Sequence, residues 1–170
     1  MIIDIREEVA DFLAYIRQRV AQHLASPQAA EPVGVIQFGF EIGQGNMAWL
    51  QFDTRPDATP DGTWSLPKNL EKTPRLDRPK WPVFADIPDG QPVFFIDVQG
   101  RKVEVLSAAN TDEVVATIVG EAMKQALLQA RAEGVFKPLP RVERCPIFVE
   151  HMEGFYSWPT CHDHSGENLL

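Results

Sequence analysis

Between residues 56 and 92 the chain places eight of its 14 prolines, at positions 56, 60, 67, 74, 79, 82, 88 and 92. Each lacks the amide donor that a helix interior or a central strand requires, so no long regular element fits there. Trp64, Leu66, Leu70, Leu76, Trp81, Val83 and Phe84 are scattered through the same stretch. Burying them would pin it down, which predicts an ordered covering loop over 56–92 rather than a free linker. The regular part of the fold must then come from the residues on either side.

On the N-terminal side, Ile5, Val9, Phe12, Leu13, Ile16, Val20 and Leu24 recur at spacings of three and four among charged residues. That is the stripe of an amphipathic helix, with Asp4 as its N-cap and Pro27 closing it near Ser26. Val33 to Phe40 is rich in β-formers, and after the turn residues Gly43, Gly45 and Asn46 a second strand runs from Met47 to Asp53. The pair reads as an antiparallel hairpin. On the C-terminal side, Pro92 to Val98 and Arg101 to Leu106 form two more strands around a tight turn at Gln99 and Gly100. Asn110 with Glu113 begins a second helix, Gly134 ends it, and Val115, Ile118, Val119, Ala122, Met123, Ala126, Leu127 and Ala130 line one side of it. Ile147 to His151 is a short strand, read as an edge, and residues 160–170 read as a frayed tail.

The expected architecture is a single α+β domain over 1–170. It has an antiparallel sheet of four to five strands, with both helices packed mainly on one face, because short hairpin loops cannot make parallel crossovers. At 170 residues the chain can bury a substantial core without a staple. Gln37, Gly39 and Asp97 interrupt its apolar runs well short of the roughly 18 residues of a membrane span. Asp4, Glu7, Glu8 and Asp11 stand where a secretory signal would be basic and then apolar. With only Cys145 and Cys161 for thiols, a reducing, cytoplasmic setting is expected. A formal net charge of −8 argues against sequence-independent binding of nucleic acid.

Few residues carry recognisable chemistry. His151, Cys161, His162 and His164 are of the types that hold zinc, with Cys145 as an alternative ligand and Glu150 or Glu153 as an accompanying base. Their spacing departs from the paired units of familiar structural zinc sites. Cys161 beside His162 lacks the base held across the fold that a catalytic cysteine needs. Gly43, Gly45 and Ala48 match a dinucleotide-loop spacing, but a strand follows where that loop needs a helix N-terminus. Asp57, Thr59 and Asp61 begin like a calcium loop whose twelfth position is Lys68 instead of an acid.

Lys68, Lys72, Arg75, Arg78 and Lys80 make one basic stretch within an acidic chain, and Trp64, Trp81, Tyr156 and Trp158 are candidate exposed aromatic anchors. Trp64, Lys72, Arg75, Arg78, Trp81, Tyr156 and Trp158 are therefore the expected partner-binding residues. In size, charge and lack of catalytic motifs, the profile is similar to small acidic cytoplasmic bacterial proteins that act by binding another protein, such as the immunity proteins that neutralise toxins. The expected function is accordingly a non-enzymatic protein-binding module without a cofactor, its partner a basic toxin domain in the most specific form. The alternative is a zinc-dependent hydrolase built on the C-terminal His/Cys cluster.

Overall fold

The computed structural model describes residues 1–42, 47–55, 92–105, 111–159 and 169–170. Apart from Pro92, the expected covering loop lies outside these residues, as do the glycine turn at 43–46 and Asn110. Among the described residues the chain runs β1 (Ile2–Asp4), α1 (Arg6–Leu24), β2 (Val35–Glu41), β3 (Met47–Asp53), β4 (Phe94–Ile96), β5 (Lys102–Glu104), α2 (Thr111–Ala132), β6 (Ile147–His151) and β7 (Ser157–Trp158).

The α+β class holds, but the single antiparallel sheet does not. Two mixed sheets form instead, one ordered β1-β4-β5 and the other β3-β2-β6-β7. The two anticipated hairpins are present, β2 with β3 and β4 with β5. Parallel pairs join distant parts of the chain: β1 lies beside β4, and β2 beside β6, with Ile36 opposite Ile147 and Phe40 opposite His151. Strand β6 is thus interior rather than an edge. No local turn encodes these pairs, and so hairpin reasoning missed them.

Helix α1 presents Val9, Phe12, Leu13, Tyr15, Ile16 and Val20 to the core, as its stripe requires. Asp4 is the last residue of β1 and stands one position before the cap, which is Ile5. Its carboxylate accepts from the Arg6 amide at 3.1 Å and from the Arg6 guanidinium Nε at 2.9 Å. The side-chain bond to Arg6 is the main reason its pKa falls to about 2. Helix α2 ends as expected at Gly134, whose φ of +75° suits glycine, with Val135 N–H donating to the Ala130 carbonyl at 2.9 Å.

Both helices pack against each other and against the four-stranded sheet. Phe12 meets Phe38 edge-on at 5.5 Å, Tyr15 lies 5.9 Å from the same ring, and Ile36, Phe40, Leu50, Ile147 and Val149 complete the buried layer. Val93, Phe95 and Val105 from the smaller sheet belong to the same apolar cluster. The β4-β5 turn is held by Asp97, which accepts from the amides of Gln99 and Arg101 at 2.9 and 2.8 Å and from Arg101 Nε at 2.6 Å. Burial raises the pKa of this carboxyl, but the bonds from Arg101 and Gln99 together outweigh that and leave it depressed.

Candidate functional site

Of the residues singled out from sequence, Trp64, Lys72, Arg75, Arg78 and Trp81 lie outside the described residues, as do Cys161, His162 and His164. His151, Tyr156, Trp158, Cys145, Glu150 and Glu153 are described, and their surroundings define what each can do.

Because β6 runs parallel to β2, His151 comes level with Phe40. Their rings meet edge-on at 4.9 Å, while Phe155 stacks on the imidazole at 5.1 Å. Nδ1 accepts the Glu153 amide at 3.2 Å. In the neutral ring the proton therefore sits on Nε2, which is buried and has no hydrogen-bond partner among the described residues. A metal would need the lone pair that this arrangement commits to the Glu153 amide. The zinc reading draws no support from that geometry. Cys145 is fully buried, and burial pushes its thiol up to about 11, so it is not a thiolate at neutral pH. Glu150 alternates with His151 along β6 and belongs to the opposite sheet face, where its carboxylate accepts from Gln37 Nε2 at 2.8 Å.

His151 is 1% exposed, and desolvation holds its pKa below the usual histidine value against the pull of Glu153, Glu41 and Asp112. The sign of the pH effect follows. Below about 6.5 the unfolded chain takes up a proton that the folded ring resists, so this group's contribution to stability falls as the solution is acidified. Thermal melts from neutral to mildly acidic pH should show a shallower decline in His151→Phe than in the parent chain. An unchanged slope would place the titrating groups elsewhere.

Tyr156 and Trp158 are not exposed anchors. Strand β7 folds back on β6, with the His151 amide donating to the Tyr156 carbonyl at 2.8 Å and Val149 opposite Trp158. Trp158 is 6% exposed, and Tyr156 donates its hydroxyl to Glu121 at 2.8 Å while its ring covers Gly120. Aromatic composition could not show this, because the burial depends on a hairpin whose second strand is only two residues long.

An open site occurs in the connection between α2 and β6. After Gly134 the chain buries Phe136 and Leu139, then passes beside Val33, whose amide donates to the Pro140 carbonyl at 2.9 Å and whose carbonyl accepts from Val142 N–H at 3.1 Å. Arg144 turns the chain at a φ of +90° before Cys145 and Pro146 lead into β6. Leu170 N–H donates to the Cys145 carbonyl at 2.9 Å, and Arg131 donates to the Leu169 carbonyl at 3.3 Å, so Leu169 and Leu170 are held against this connection.

Between these pieces lies a broad groove of about 490 Å³, lined by Leu139, Arg141, Val142, Glu143, Arg144 and Leu170. Val142 is 46% exposed. Arg141 spends one N–H on the Phe136 carbonyl at 3.1 Å, and Arg144 has no ion pair or hydrogen bond with the described residues. The cue in the sequence was Arg141-Val142-Glu143-Arg144 following two prolines, a pattern shared with many solvated loops. Comparison with protein-family models, with curated proteins and with solved structures found no match. No helix among the described residues is long and apolar enough to cross a membrane.

Proposed function

We propose that this chain is a non-enzymatic protein-binding module that receives part of its partner in the groove between residues 139–144 and Leu170. The observation that carries this reading is the groove's lining, which sets an exposed valine and two leucines beside two arginines. Arginine is enriched at protein contact surfaces, where its guanidinium supplies directed hydrogen bonds beside apolar contacts. The site is open to solvent rather than enclosed, unlike the concave pockets that bury small ligands.

Toxin neutralisation is the most specific form of this proposal. A net charge of −8 would draw a basic toxin domain toward the surface and speed its association, with the groove taking one segment of it. A photo-crosslinking residue at position 142, introduced into the full chain in its native cells, tests the proposal, with exposed Gln18 on α1 as the control position. A discrete protein adduct at 142 and not at 18 is expected. The purified partner should bind with an association rate that drops as salt rises. No adduct at 142, or the same adducts from both positions, would remove the support for a docking groove.

A further inference from the structure

We propose that His151 is a proton-sensitive latch on the turn between β6 and β7: the neutral imidazole closes the turn through the Glu153 amide, and the imidazolium releases residues 152–158 while the rest of the core stays folded. This inference is independent of the protein-binding reading above. The turn is built around the ring. Glu153 N–H donates to Nδ1 at 3.2 Å, the His151 amide donates to the Tyr156 carbonyl at 2.8 Å, and Gly154 N–H donates to the His151 carbonyl at 2.9 Å. Phe155, from the same turn, stacks on the imidazole at 5.1 Å, and Phe40 of β2 meets it edge-on at 4.9 Å. One side chain thus holds both the backbone and a ring of the segment that returns the chain to the sheet as β7.

The latch depends on the lone pair of Nδ1. Protonation turns that nitrogen into a donor, so two N–H groups face each other and the bond to Glu153 is lost. The other nitrogen offers no compensation, because Nε2 is buried and has no hydrogen-bond partner among the described residues. The charged groups around the ring are Glu153 on the turn, Glu41 at the end of β2 and Asp112 at the start of α2, while the Tyr156 phenol is kept neutral by burial. All three carboxylates favour the imidazolium, but the cost of burying its charge outweighs them and holds the pKa below the ordinary histidine value. Below about 6.5 an opened turn therefore binds a proton that the closed turn resists, and acid shifts the balance toward opening. The route to water is short, since Met152, Glu153 and Gly154 are exposed and β7 pairs with β6 through only two residues. Opening so small a unit costs less than unfolding the core.

Amide hydrogen exchange in the full chain, followed by NMR between about pH 7.5 and 5.5 and corrected for the intrinsic effect of pH, tests the latch. Protection of Glu153 and Gly154 should fall by at least about threefold over this range, whereas that of Phe38, in the middle of β2, should hold. The fall should follow the titration of the His151 ring itself, and at neutral pH the imidazole nitrogen shifts should report the Nε2–H tautomer. Two variants separate the latch from the neighbouring carboxylates. His151→Asn keeps an acceptor at the position of Nδ1 but does not titrate, and its Glu153 protection should not depend on pH. His151→Phe keeps a ring without the acceptor and should exchange the Glu153 amide rapidly throughout the range. An Nδ1–H tautomer, an equal fall at Phe38, or the parent's pH response persisting in either variant would overturn the inference.

Discussion

Truncating Phe38 to alanine should lower the stability of the folded chain by about 3–5 kcal/mol, the range seen when a large buried ring is removed. Phe38 is 0% exposed, at the middle of β2 with Leu50 opposite on one side and Val149 on the other. Phe12 and Tyr15 of α1 close over it. Three hydrogen-bonded strands and a helix frame the resulting space, so the surroundings cannot collapse to fill it. A typical domain has only about 5–15 kcal/mol in hand, and the variant should sit near its unfolding threshold. Phe38→Leu, which retains most of the volume, should lose less than half as much. Equilibrium denaturation of the three proteins measures both numbers, and a loss under about 1 kcal/mol for alanine would contradict the packing of α1 on this strand.

The second large effect is expected at Gly120. Alanine is ordinarily better than glycine inside a helix by about 1 kcal/mol. Here a Cβ would fall 2.2 Å from Cδ1 of Tyr156, and the ring is held by its bond to Glu121 and by Phe40 at 6.4 Å. Gly120→Ala must push that ring away and should destabilise by about 2–3 kcal/mol net, in the range of other overpacked cores. In a Tyr156→Ala background the same change meets no ring and should become neutral or favourable. The two substitutions are therefore coupled, and a double-mutant cycle reads the coupling directly. Additive losses would mean that Tyr156 does not lie on α2.

What was legible in the sequence divides by the range of the interaction. The helices were readable because Val9, Phe12, Ile16 and Val20, or Val119, Ala122, Met123 and Ala126, announce a buried face at a spacing that the chain carries locally. The bounds of β3 and β6 coincide with the residues expected from composition, Met47 to Asp53 and Ile147 to His151. The partners of those strands were not readable. Ile2, Ile3 and Asp4 are too few to signal a strand, and only the distant Phe94 to Ile96 makes them one.

The candidate site was less legible still. Residue type singled out His151 but not the Glu153 amide that decides which nitrogen bears its proton. Ring type alone singles out Tyr156 and Trp158, but Trp158 is buried in β7 and the Tyr156 hydroxyl is held by Glu121. The groove is assembled from the Arg141–Arg144 turn and from Leu170, which meet only because Cys145 receives the Leu170 amide.

The parallel pairing of β2 with β6 also has a consequence for the growing chain on the ribosome. Ile36 waits for Ile147, a partner translated about 110 residues later, and Ile2 waits in the same way for Phe94. Until then β2 has only β3 beside it, with one edge unpaired and Ile36, Phe38 and Phe40 without most of their core. Closing such long loops before their contacts can form slows folding, and an open apolar strand edge invites other chains. Assembly of the four-stranded sheet must therefore wait until β6 has been synthesised, and the nascent N-terminal half is the stage at which an apolar strand edge stands open.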